Sequence, residues 1–250
     1  MTVTYLGGPT ALLEYGDLRI LLDPTFDLPR SYESDGESLT KTVGPALPVD
    51  TLGPIDLVLL SHHEHEDNLD FAGRELVLRT PTLSTAKAGI DLGKPVIGLD
   101  CWETHEVGGV AVTAAPALHG PVGAERLVGP VIGFVLEAPG EPTVYVSGDN
   151  ASLALVEQIA DRFADVEVAI LFAGAARVPS IDANLTLSSR DAATAAKILG
   201  ASTVVGLHTE DWAHFTESRA DLEAAFAGTG LLVDTPRGVT VELRIPASGE

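Results

Sequence analysis

Cysteine is nearly absent. The 250-residue chain carries one, Cys101, which rules out an internal disulfide and any multi-cysteine metal site and fits a reducing compartment. A bound metal would have to be held by nitrogen and oxygen. Cys101 itself is expected to be a packing residue, because a free cysteine is usually buried and inert. Bases are scarce too: 15 Lys and Arg stand against 36 Asp and Glu, a formal charge of −21. Such a surface repels phosphate backbones and anionic membranes, so nucleic acid is not expected as a partner. That exclusion concerns the mean field only, because a bound divalent cation reverses the local sign. No apolar run approaches the ~20 residues needed to span a bilayer, and Met1 to Thr10 lacks the basic and apolar regions of a signal peptide. These absences lead us to expect a cytoplasmic protein without membrane contact. Tandem repeats at solenoid periods are also lacking. The 45% apolar fraction suits one compact domain over residues 1–250.

What the chain does have is concentrated between Ile55 and Asp70, IDLVLLSHHEHEDNLD. Ile55 to Leu60 reads as a strand buried on both faces. After Ser61 it breaks into His62, His63, Glu64, His65, Glu66 and Asp67, crowded on a loop that a rigid strand delivers to one point. Imidazoles and carboxylates in that density ask for a cation of the zinc, manganese or iron kind.

The rest of the chain repeats the device of a strand ending in a donor. Ala11–Tyr15 and Leu18–Leu22 flank a turn like a hairpin, and the second ends in Asp23-Pro24, either a turn residue or an acid that orients a metal-bound histidine. Val110–Ala115 runs to His119, Thr143–Ser147 to Gly148-Asp149, and Thr203–Leu207 to His208. Between them, helical spacing marks Ala151–Phe163, a capped helix follows Ser188, and another follows Thr216. Val131–Glu137, Val166–Phe172 and Val239–Ile245 read as strands, as do Glu75–Arg79 and Pro95–Leu99, with Ser84–Ile90 a short helix. Residues 28–52 are polar and rich in Gly, Pro and Ser, a loop on the substrate side or a plain surface loop.

His63-x-His65-x-Asp67, His119 before Gly120, Ser147-Gly148-Asp149 and the late His208 together resemble the ordered ligand series of the metallo-β-lactamase superfamily, nearest its lactonase-like and phosphodiesterase-like members. The resemblance implies an α/β fold, an αββα four-layer sandwich with a metal site at one edge between two sheets. It also implies one or two divalent ions, zinc first and manganese or iron as alternatives. Carried over, His63, His65 and His119 would form one site, Asp67 and His208 a second, and Asp149 would bridge them. The chain departs from the family motif at Asn68, where a second-site histidine is usual. His62 and His65 are an alternative pair around a one-residue insertion, and His62 or His63 could replace the missing ligand.

A divalent ion lowers the pKa of its water toward about 7, and Asp67 or Asp149 could orient that water or pass a proton. His214 is either a donor to a substrate oxyanion or a histidine packed on Trp212. The expected activity is hydrolysis of a small-molecule ester, lactone or phosphoester. A non-catalytic metal-binding or ligand-sensing protein is the alternative, and a nuclease is disfavoured by the scattered bases. Substrate identity and oligomeric state are not legible in the sequence.

Overall fold

The computed structural model of the chain describes residues 1–34 and 37–245. In chain order the elements are β1 (Thr2–Gly7), β2 (Thr10–Tyr15), β3 (Leu18–Leu22), β4 (Arg30–Ser34), β5 (Glu37–Lys41), β6 (Leu57–Leu59), α1 (Phe71–Val77), β7 (Thr82–Thr85), α2 (Ala86–Leu92) and β8 (Val96–Leu99). They continue with β9 (Thr104–Val107), β10 (Val110–Pro116), α3 (Glu125–Val128), β11 (Ile132–Glu137), β12 (Thr143–Val146), α4 (Leu153–Arg162), β13 (Val166–Phe172), α5 (Ser189–Leu199), β14 (Thr203–Leu207), α6 (Arg219–Ala225) and β15 (Thr240–Glu242).

Two sheets dominate, ordered β15-β1-β2-β3-β6-β7-β8 and β14-β13-β12-β11-β10-β9. Alternation along each strand decides which layer a side chain joins. Val168, Ile170 and Phe172 of β13 enter one cluster with Leu13, Ile20, Leu22, Leu57 and Leu59 of the other sheet. The intervening Ala169 and Leu171 turn outward onto Val156 and Ile159 of α4 and Ala192, Ala195 and Ala196 of α5. On the opposite face Leu12, Leu21 and Val58 meet Leu76 and Val77 of α1 and Ala88 of α2. Helix, sheet, sheet, helix is the αββα order expected. Among the described residues no helix is long and apolar enough to cross a membrane.

Three readings of the sequence are corrected. Glu75–Arg79 is not a strand: Asp70 accepts a hydrogen bond from Gly73 N and starts α1 there, a local cap that outweighs the short apolar run. The neighbouring strand is β7, and α2 begins only at Ala86, with Thr85 accepting from Ala88 N. Residues 28–52 are not a featureless loop, because β4 and β5 form an antiparallel hairpin within them. Cys101 is exposed; it sits in the turn after β8 rather than in the core.

The carboxyl ends of β3, β6, β10, β12 and β14 deliver the donors to one edge of the sandwich. There the sheets are joined by backbone hydrogen bonds, Ile132 N to Ser61 O at 3.1 Å and His208 N to Gly8 O at 2.8 Å. Gly148 takes φ +54°, and a Cβ on it would meet Ile132 O at 2.7 Å, so glycine is required just before Asp149. Asp23 and His208 are themselves in the positive-φ region (32° and 59°), a conformation unusual for residues with side chains and concentrated at functional sites.

Candidate metal centre and active site

Among the described residues six donors converge as two groups, His62 with His65 and His119, and Asp67 with Asp149 and His208. In the first, His62 Nε2 lies 2.9 Å from His65 Nδ1 and His119 Nε2 3.2 Å from the same atom. The outer ring nitrogens settle the tautomers. His119 Nδ1 is 2.8 Å from the carbonyl of Leu185, which only accepts, so Nδ1 carries the proton. With Asp23 ionised, Ser61 Oγ donates to Asp23 Oδ2 at 2.7 Å, leaving its lone pairs for the Nδ1–H of His62 at 3.0 Å. Both Nε2 atoms therefore present lone pairs to His65 Nδ1, where a single proton could satisfy only one of them. A cation satisfies all three nitrogens.

The second group points the same way. Asp149 Oδ2 and His208 Nε2 are buried without a hydrogen-bond partner. His208 Nε2 is 3.3 Å from Asp67 Oδ2 and 3.6 Å from Asp149 Oδ1, but is not aligned for a bond to either. Asp149 Oδ2 faces the first group at 3.7 Å from His119 Nε2, so this carboxylate lies between the two. Phe172 stacks on the His208 ring at 5.4 Å and Phe215 covers it at 4.0 Å, which fixes its orientation. Nitrogen and carboxylate donors with lone pairs aimed inward fit a divalent ion of the zinc, manganese or iron kind.

Electrostatics reinforce the fit. Burial, together with the His65 and His119 rings, pushes the His62 imidazole well below its ordinary range. Burial and the His65 ring bring His119 down to about 3, so both are neutral, as ligands must be. Burial and the nearby Asp67 and Asp23 raise the Asp149 carboxyl well above the carboxylate range. Burial lifts Asp23 to about 7 against the hydrogen bonds of Ser61 and Asn68. For Asp67 burial is outweighed by His214 and His208, which hold its carboxyl low.

Of the other residues singled out in the sequence, His63 is not brought to the cluster. Its Nε2 turns to Asp91 Oδ2 at 3.0 Å and its Nδ1 to Glu64 at 3.2 Å. The spacing that converges is thus His62-x-x-His65. His214 places Nε2 2.9 Å from Asp67 Oδ2, with Trp212 edge-on at 6.2 Å. Asn68 Nδ2 donates to Asp23 Oδ2 at 3.0 Å and Asp149 Oδ1 at 3.2 Å. Ser61, which links Asp23 to His62, carried no signal beyond its place at a strand end. A cavity of about 290 Å³ opens onto the groups, walled by Leu39, Leu127, Val128, Ala176, Val178 and Leu185 and bordered by Glu64, Glu66 and His214.

Residues 18–209 match the β-lactamase superfamily domain. A metal-dependent hydrolase of Methanosphaerula palustris is 30% identical over 220 residues, covering 85% of each chain. One from Methanoregula boonei is 28% identical over 254 residues, covering 94% of this chain and 99% of its own. The crystal structure of an isothiocyanate hydrolase from Delia radicum gut bacteria superposes with a TM-score of 0.83 at 23% identity, over 98% of this chain and all of its own. The chain belongs to the metallo-β-lactamase superfamily and is a metal-dependent hydrolase of it.

Proposed function

We propose that the protein hydrolyses a small, uncharged ester or lactone, with divalent cations held by His62, His65 and His119 and by Asp67, Asp149 and His208. Zinc is the first choice, manganese and iron the alternatives. Such ions supply Lewis acidity toward a carbonyl and lower the pKa of the attacking water. The observation that carries the reading is the cavity: its wall is aliphatic, its size suits a small molecule, and no Lys or Arg is among the described residues that line it. Apart from the cations, a phosphoester would meet Glu64 and Glu66 and no lining Lys or Arg, whereas a neutral ester needs no further positive charge. A nuclease would need a basic groove as well.

Within the site, Asp67 borders the cavity with its carboxyl held low by His214 and His208, and it is the charged acceptor that would orient the water. Asp23 and Ser61 keep His62 in one tautomer, and the Leu185 carbonyl does so for His119.

The test is a substrate panel on zinc-loaded protein: p-nitrophenyl butyrate, a γ-lactone, bis-p-nitrophenyl phosphate and an aryl isothiocyanate. The last is included because the named substrate of the structural neighbour is also small and uncharged. Ester or lactone turnover should exceed phosphodiester turnover and disappear in His119→Ala and Asp149→Ala. Preference for the diester would overturn the substrate class, and unchanged rates in both variants would overturn the site.

A further inference from the structure

The histidine usual at position 68 is missing, and Asn68 does not replace it. Its Nδ2 donates to Asp23 Oδ2, Ser61 Oγ and Asp149 Oδ1, so the amide aims hydrogens, not lone pairs, at the second group. Rotating the amide would set Oδ1 against two carboxylates. One residue from another part of the chain reaches the gap. His214 Nε2 lies 2.9 Å from Asp67 Oδ2, and His208 Nε2 approaches that oxygen at 3.3 Å. The two imidazoles thus flank one carboxylate oxygen.

The backbone around His214 is held on both sides, by Arg177 N donating to His214 O at 3.0 Å and Ala213 N donating to Thr40 O at 2.9 Å. The ring is packed edge-on against Phe215 at 4.7 Å. It also borders the cavity.

We infer that His214 is a ligand of the second cation, completing Asp67, Asp149 and His208 in place of the histidine that Asn68 supplants. This rests on the proposed reading of the two groups as metal sites. The gain is a balanced pair of four-donor sets: His62, His65, His119 and Asp149 on one side, and Asp67, Asp149, His208 and His214 on the other. Four nitrogen and oxygen donors would hold zinc, which can take a fifth ligand and so still admit the attacking water.

The experiment counts metal. Full-length protein is stripped by chelation and dialysed against zinc. Bound zinc is measured by mass spectrometry, and a parallel cobalt(II) sample gives the visible absorption of the donor set. Two ions per chain are expected in the wild type, one in His214→Ala, and two again in His214→Asp, whose carboxylate can bind. The double variant Asn68→His with His214→Ala should regain the second ion.

Two ions with an unaltered cobalt spectrum in His214→Ala would overturn the assignment, as would a single ion in the wild type. Should His214→Ala lose its circular dichroism, His214→Gln against His214→Asp decides, with the second ion expected only in the latter. Zinc-dependent ester hydrolysis alongside two ions in His214→Ala would remove this ligand and leave the proposed activity standing. A second ion that depends on His214 in a protein that cleaves no substrate of the panel would do the reverse.

Discussion

Ser61 is the smallest side chain with the largest reach in the site. It donates to Asp23, accepts from His62 and accepts from Asn68, so one hydroxyl sets a tautomer and satisfies two buried neighbours. Ser61→Ala should weaken zinc binding by about 10- to 100-fold, the usual cost of losing a group that orients a metal-bound histidine; competition with a chromogenic chelator measures it. Asp23 carries a pH signature in metal-free protein. Its carboxyl titrates at about 7 in the folded chain because it is buried, against ~3.9 in an unfolded one. The native state therefore holds a proton that the unfolded state releases between those values, so stability falls as pH rises from about 4 to about 7 and levels off above. Urea midpoints across that range should show the decline in the wild type and a shallower one in Asp23→Asn; parallel curves would refute the assignment.

Among the elements, the β4–β5 hairpin was hidden in a polar, proline-rich stretch because it is anchored by distant partners rather than by its own apolar pattern. Lys41 of β5 is buried on Asp70 at 3.0 Å, and Asp70 also caps α1 and accepts from Asp27 N. That hub fixes the hairpin and with it Leu39 on the cavity wall. Lys41→Met should cost about 3–5 kcal/mol by leaving a buried carboxylate without its cation, read in chemical denaturation, and should raise KM by loosening the wall. By contrast β10 to β14 and α5 were legible because buried strands are continuous apolar runs and because Ser188 and Gly200 mark the helix ends, with Gly200 at φ 68°. The exchange of helix and strand around Glu75–Thr85 arose where each element is short and a cap decides.

At the scale of the whole molecule, the two sheets meet at an edge that gathers Asp23, Asp67 and Asp149, all buried, in a chain of formal charge −21. Bound cations stabilise such a fold by mass action, about 4 kcal/mol at a free concentration 1,000 times Kd, or roughly 10 °C in Tm for a chain of this size. Chelation should lower Tm by that order and zinc should restore it; an unchanged melting curve would count against the metal sites. The donor types, their order and their delivery at strand ends are legible along the chain, because apolar runs and punctuation are local properties. Only the tertiary structure decided that His62 rather than His63 turns inward, that Asn68 braces carboxylates, and that His214 meets Asp67 across 147 residues. Those choices depend on which distant backbone carbonyl, hydroxyl or ring lies against each imidazole once the sheets have closed, and no spacing along the chain encodes that contact.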